Sequence, residues 1–215
     1  MAYFDLFPNV LLPSHSDKRT SNRDFVASKN LFKRGAIRND FFENAVAFEK
    51  YNVVGDDRPD NVASEIYDDP ELDWVVLLSN NIINVRDEWP MSQYDFQRYL
   101  DNKYDKVQLG QIHHYETVEI LNPLGLRILE AGLKVDESFE YKYSFEGTNY
   151  TVSDVTSVTN YQYEIDKNDA KRNIYVLRKS YLPMIMEDMR DIMTYEDSSQ
   201  YINKRTKKGS DIRHE

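Results

Sequence analysis

Four histidines and 37 carboxylates are the side chains of this sequence that could do chemistry. Histidine is the usual general base near neutral pH and the commonest metal ligand. His15 and His214 lie near the chain ends, while His113 and His114 are adjacent. Adjacent side chains on a strand point to opposite faces, so that pair is not expected to close on one metal ion. No HExxH, Walker A, GxGxxG or GxSxG motif occurs. The chain has no cysteine, which excludes disulfides and thiolate metal sites and leaves most nucleophilic mechanisms without a placed base. Two carboxylates suffice for glycoside hydrolysis. Yet no Asp or Glu stands in a distinctively apolar setting that would raise its pKa. Asp166, Asn168 and Asp169 resemble part of a calcium loop, but the Gly and the distal Glu are missing, so a turn is expected. Asn149-Tyr150-Thr151 fits the glycosylation pattern, without a secretion signal to give it meaning. The expectation is no catalytic residue, no metal and no cofactor.

The carboxylate pairs Asp56-Asp57 and Asp68-Asp69 read better as helix starts within the most informative stretch, Gly55 to Asn84. Asp is a good N-cap, and Pro fits the first helical positions, as in Arg58-Pro59 and Asp69-Pro70. Val62, Ala63, Ile66 and Tyr67 share one face of a first helix. Leu72, Trp74, Val75, Val76, Leu77 and Leu78 make a second helix apolar almost all round, hence buried. Asn80-Asn81 ends it, because Asn tolerates a left-handed C-cap. A strand within Ala45 to Val54 leads in, and Ile82, Ile83 and Val85 supply the return strand.

Around that unit the pattern changes. Residues 1–24 look extended, with apolar positions broken by Pro8 and Pro13. Residues 25–38 show no clear period and read as a short strand or helix. Ser92 opens a helix carrying Phe96, Tyr99, Leu100 and Tyr104. Phe139, Tyr141, Tyr143 and Phe145 alternate with polar residues, which is a strand with an aromatic face, turned at Gly147. His113 to Leu121 and Leu126 to Leu133 form an earlier pair around Asn122-Pro123. Tyr161 to Ile165 and Ile174 to Leu177 are expected as a hairpin around the polar loop Asp166 to Asn173. A last amphipathic helix, 179–195, aligns Leu182, Ile185, Met186, Met189, Ile192 and Met193. The domain reading is a basic N-terminal arm 1–44, the helical unit 45–90, a connecting helix 91–110, a β-rich region 111–178, the last helix, and a mobile tail 196–215.

Net charge is −10, so the whole chain is not expected to bind nucleic acid. Between Asp17 and Arg38 seven bases face two acids; between Asp40 and Asp101 fifteen acids face four bases. Such a division suits a basic arm that docks on an acidic body, its own or a neighbour's. Apolar runs reach about five residues, far below the roughly 20 that span a bilayer, so no membrane segment is expected. No signal peptide is recognisable in Met1-Ala2-Tyr3-Phe4-Asp5.

The order Gly55-Asp56, Ile66-Tyr67, Asp69-Pro70, Trp74 and Asn80-Asn81 resembles a LysM module, a strand–helix–helix–strand fold. The wider sequence resembles the gp53 family of baseplate wedge subunits from contractile-tailed phages. MAYFDLFPNV, NLFKRGAIRND, RPDNVASEIYDDPELDWVVLLSNN, WPMSQYDFQRYL and YEIDKNDAKRNIYVLRKSYLPMIMEDMRDIM carry that likeness. The resemblance implies an α+β fold: a LysM-like core, a β-rich insertion, a C-terminal amphipathic helix and extended termini. It implies a structural protein that ties wedge subunits, and neighbouring wedges, into the ring around the central hub. Its place is the virion tail baseplate, and the host cytoplasm during assembly. Gly55, Pro59, Ile66, Tyr67, Pro70, Leu72, Trp74, Leu77 and Asn80 are the LysM-like core residues. Phe4, Phe7, Phe32, Lys33, Arg34, Arg38, Leu182, Met186 and Met189 are the candidate protein interface. The alternative is a peptidoglycan-binding LysM protein or a component of a cell-wall hydrolase. Glycan-binding LysM units have Gly-Asp-Thr-Leu where this chain has Gly55-Asp56-Asp57-Arg58, so glycan binding is not expected. Loss of residues 1–38 is expected to leave a folded, soluble protein that fails to close the ring.

Overall fold

The computed structural model describes residues 4–14, 25–43 and 46–209. His15, Lys18, Arg19, Arg23 and His214 lie outside the described residues. In chain order come strands β1 (Asn9–Pro13) and β2 (Phe25–Lys29), helix α1 (Asn39–Glu43), strand β3 (Phe48–Asn52) and helices α2 (Pro59–Tyr67), α3 (Asp73–Ser79) and α4 (Val85–Glu88). Helices α5 (Gln93–Lys103) and α6 (Lys106–Leu109) come after them. Next are strands β4 (Ile112–Thr117), β5 (Ile120–Leu121), β6 (Arg127–Leu129), β7 (Lys134–Val135), β8 (Tyr141–Phe145), β9 (Thr148–Val152) and β10 (Val155–Thr159). Helix α7 (Asn160–Ala170), strand β11 (Asn173–Leu177), helix α8 (Leu182–Ile192) and strands β12 (Tyr201–Asn203) and β13 (Thr206–Lys208) complete the order. The class is α+β. Two compact units form: residues 1–88 with 174–215, and residues 89–173.

In the first unit, Pro59 begins α2, and Val62, Ala63 and Tyr67 are buried along it. The cap residue is Arg58, whose side chain makes no cap bond, so the expected aspartate cap is absent there. Asp68 ends the helix in the left-handed region. Asp69 does act as a cap: its carboxylate accepts from the Glu71 amide at 2.9 Å, with Pro70 in the first position of a 3-10 turn. That turn runs straight into α3, which buries Val75 and Val76. Asn80 and the left-handed Asn81 stop it, as Asn residues can.

The return strand is not Ile82 to Val85. Asn84 accepts from the Arg86 amide, and Glu88 accepts from the amides of Ile83 and Asn84. These reciprocal caps start α4 instead. The strand beside β3 is β11, in which Ile174, Val176 and Leu177 are buried.

The described residues near both chain ends form more regular structure than expected. The sheet order is β12-β13-β1-β2. β1 runs antiparallel to β2, with Asn9 opposite Lys29 and Pro13 opposite Phe25, and parallel to β13. The expected mobile tail is therefore a hairpin over Tyr201–Lys208, held because β1 offers it a second edge. The extended arm is two strands of the same sheet. Cutting away residues 1–38 would remove two of its four strands, which argues against an intact fold for such a truncation.

In the second unit, Ser92 accepts from the Asp95 amide and opens α5, which buries Leu100 completely. β10, β4 and β7 form one sheet, while β5 with β6 and β8 with β9 form two hairpins. Tyr143 and Tyr150 stack across the β8–β9 hairpin with ring centroids 5.1 Å apart. The expected hairpin over Tyr161 to Leu177 is instead helix α7 and then β11. Thr159 caps α7 by accepting from the Gln162 amide. Its buried positions are Glu164 and Asn168, four apart and both polar, so no apolar helical period existed to be read. The expected turn at Asp166, Asn168 and Asp169 is the last part of this helix.

Candidate interaction surface

Residues 4–7, the segment Leu31–Gly35, α3 and α8 enclose a groove of about 380 Å³ in the first unit. Its floor is Trp74 and Leu78 from α3, Met189 from α8, Met193 just after α8, and Gly35. Phe4, Leu6, Phe7, Leu31 and Phe32 form its walls. Phe32 is 99% exposed and Leu31 63%. The lining holds two cations, Lys33 and Arg34, and no anion.

The cations differ. Lys33 donates from Nζ to the Thr194 carbonyl and lies 5.2 Å above the Tyr195 ring. Tyr195 is itself held by the Asn30 amide, which donates to its hydroxyl at 2.8 Å. Arg34 is exposed, and among the described residues it has no hydrogen bond or ion pair.

Six of the nine expected interface residues therefore converge: Phe4, Phe7, Phe32, Lys33, Arg34 and Met189. Arg38 does not join them. It pairs with Asp40 and, at 3.5 Å, with Asp188 of α8. The Arg38 hydrogen bond holds the Asp40 carboxyl below its ordinary range. Leu182 and Met186 are half-buried on α8, outside the groove lining. Leu6, Leu31, Gly35, Leu78 and Met193 complete the lining; Leu78 and Met193 belong to the apolar stretches that the helical pattern marked, and the other three carry no such signal. Leu31 and Phe32 sit in a segment with no period, so nothing committed them to a core.

Of the LysM-like core residues, Pro59 and Tyr67 are buried, and Ile66, Leu72 and Leu77 are half-buried. Trp74 is half-buried at the groove floor, Pro70 is exposed, and Gly55 takes φ +55° in a turn. Tyr67 donates to the Leu177 carbonyl at 2.9 Å, tying α2 to β11.

The second unit holds the buried carboxylate that the sequence did not single out. Glu164 is 2% exposed and accepts from Lys103 at 2.6 Å, Tyr104 at 2.9 Å and Tyr99 at 3.2 Å. Burial alone would raise its pKa, but these donors outweigh burial and lower it. A carboxylate held ionised near neutral pH by three donors is a strut and a poor proton donor. His113 and His114 also depart from expectation: their Nδ1 atoms lie 2.8 Å apart. Val158 pairs with His114 and Thr159 with Ile112, so His113 is the extra residue of a β-bulge. The bulge turns both rings to one side. His114 Nε2 meets Glu116 at 2.8 Å, and His113 stacks on Tyr163 at 3.9 Å. Among the described residues, no group of three or more His, Asp or Glu side chains is placed to hold a metal ion, and no helix is long and apolar enough to cross a membrane.

The first unit presents an exposed apolar groove with a cationic rim, and the polar cluster of the second unit is engaged in internal bonds. The chain belongs to the family described as base plate wedge protein 53, whose profile matches residues 7–120. It is 26% identical over 166 residues to baseplate wedge protein gp53 of Enterobacteria phage T4, covering 72% of this chain and 79% of that protein.

Proposed function

We propose that this baseplate wedge protein joins wedge subunits, and neighbouring wedges, into the ring around the central hub of a contractile phage tail. Its role is structural, without turnover, in the virion and in the host cytoplasm during assembly. The observation that carries this reading is the family match over residues 7–120, which contains every groove residue outside Phe4, Leu6 and α8 with its adjoining turn. The fold supports a LysM-like arrangement in which β3, α2 and α3 are closed by β11 after the insertion of residues 89–173. The module then serves as a protein-contact platform, with Trp74 facing the groove and no glycan required.

The test is a phage that cannot make this chain. Free wedges are expected to accumulate and no closed baseplate ring to form, as seen by electron microscopy of infected-cell extracts. Normal rings without the chain would overturn the reading. Saturable binding of the purified protein to cell-wall sacculi would favour the peptidoglycan alternative.

A further inference from the structure

We propose that the groove seats a segment of another baseplate protein that carries apolar side chains next to a carboxylate. Arg34 is the counter-ion of that carboxylate, and Phe32 is the anchor that enters the partner. The inference rests on the wedge reading and adds to it a place and a chemistry for the contact.

Three observations lead there. The groove is apolar on its floor and walls, so its occupant must present apolar side chains. Phe32 is 99% exposed, so it projects outward and needs a surface to receive it rather than a small molecule to cover. The lining carries two cations and no anion. Lys33 is already spent on Thr194 and Tyr195, whereas Arg34 has no partner among the described residues. A guanidinium beside an apolar surface is best matched by a carboxylate, which its planar fork can bind in two-pronged fashion. Charge complementarity at the rim of an apolar contact sets the choice and register of the partner.

The experiment uses assembled tails. Phe32 is replaced by photoreactive benzoylphenylalanine in the full chain, the tails are irradiated, and crosslinked peptides are sequenced by mass spectrometry. The expected adduct is a segment of another baseplate protein with an Asp or Glu within a few residues of the apolar attachment point. Adduct yield should fall tenfold or more when Arg34→Glu is added, and stay near the original with Arg34→Lys. Arg34 is exposed, so both variants should melt at the unmodified temperature. An adduct to a second copy of this chain, to a segment without a carboxylate, or of a yield unaffected by Arg34→Glu would overturn the proposal. So would tails that contain the chain but give no adduct. Tails that lack the chain altogether would overturn the wedge reading itself, and this inference with it.

Discussion

The side chain of Asn80 holds both backbone polar groups of Tyr175, 95 residues away: Oδ1 accepts from the Tyr175 amide and Nδ2 donates to its carbonyl, each at 2.7 Å. An amide side chain presents one donor and one acceptor side by side, as a strand does. The end of α3 thus serves β11 in place of a neighbouring strand. Asn168 does the same for Met91 in the second unit, accepting from its amide at 2.8 Å and donating to its carbonyl at 3.4 Å.

Asn80→Ala leaves the Tyr175 amide and carbonyl without these partners, and the Asn80 bond to the Val76 carbonyl is lost as well. Water can reach Tyr175, so the cost is that of lost hydrogen bonds with partial rehydration, about 1–3 kcal/mol. Urea unfolding should show a lower midpoint at unchanged slope. An unmoved midpoint would mean that the clasp contributes nothing.

Tyr67→Phe removes the bond to the Leu177 carbonyl and keeps the ring. The site is buried, so the carbonyl cannot regain water without opening the core. The loss should be about 1–2 kcal/mol. Burial first, and the nearby Glu49 charge, hold the Tyr67 hydroxyl above its ordinary pKa. In ultraviolet titration, the tyrosine lost in Tyr67→Phe should therefore be one that ionises above the ordinary tyrosine range.

Local signals were the legible ones in the sequence. The starts at Pro59, Asp69-Pro70 and Ser92, the stop at Asn80-Asn81 and the aromatic β8 depend on residues within one turn of each other. The partner of β3 does not: nothing near Ile82 announces that Asn84 and Glu88 will cap a helix there while Ile174–Leu177 arrives from far along the chain. α7 was hidden because it buries Glu164 and Asn168 rather than apolar residues. The groove was half legible, since exposed aromatics in aperiodic, basic sequence suggest a contact surface but not which helices floor it.

Removing residues 1–38 deletes β1 and β2, and strips β13 of its parallel neighbour. It also removes Gly35, which lies against Met189 of α8, and the buried Ile37. The truncated protein should be poorly soluble, or melt well below the full chain by circular dichroism. A truncation that melts at the original temperature would show these strands to be dispensable.

Gly35 has room for no side chain. A Cβ there would lie 2.2 Å from Met189 Sδ and 2.8 Å from its Cε. Methionine is flexible, so Gly35→Ala should be accommodated by moving Met189, at about 1–3 kcal/mol. That shift also reshapes the groove floor. Adding Met189→Ala should recover part of the loss caused by Gly35→Ala; equal or greater loss in the double variant would show that the clash lies elsewhere.

Glu164 should give the second unit a distinct acid sensitivity. Burial opposes its ionisation, but donation from Lys103, Tyr104 and Tyr99 and the Lys103 charge prevail, so its folded pKa lies below the unfolded one. The unfolded chain therefore binds the proton more readily as pH falls. The stabilisation is fully present above the unfolded value, in the ordinary glutamate range, and is lost as pH drops through the lower folded one. Lys103 is raised by the same carboxylate and its Tyr99 contact, against its own burial. Glu164→Gln should cost about 1–3 kcal/mol near neutrality. The loss stays below that of a fully buried broken pair because Lys103 is 40% exposed and can rehydrate. The difference between the two proteins should shrink as pH falls below the ordinary glutamate range. A constant difference across that range would place the stabilisation in packing rather than in the charge.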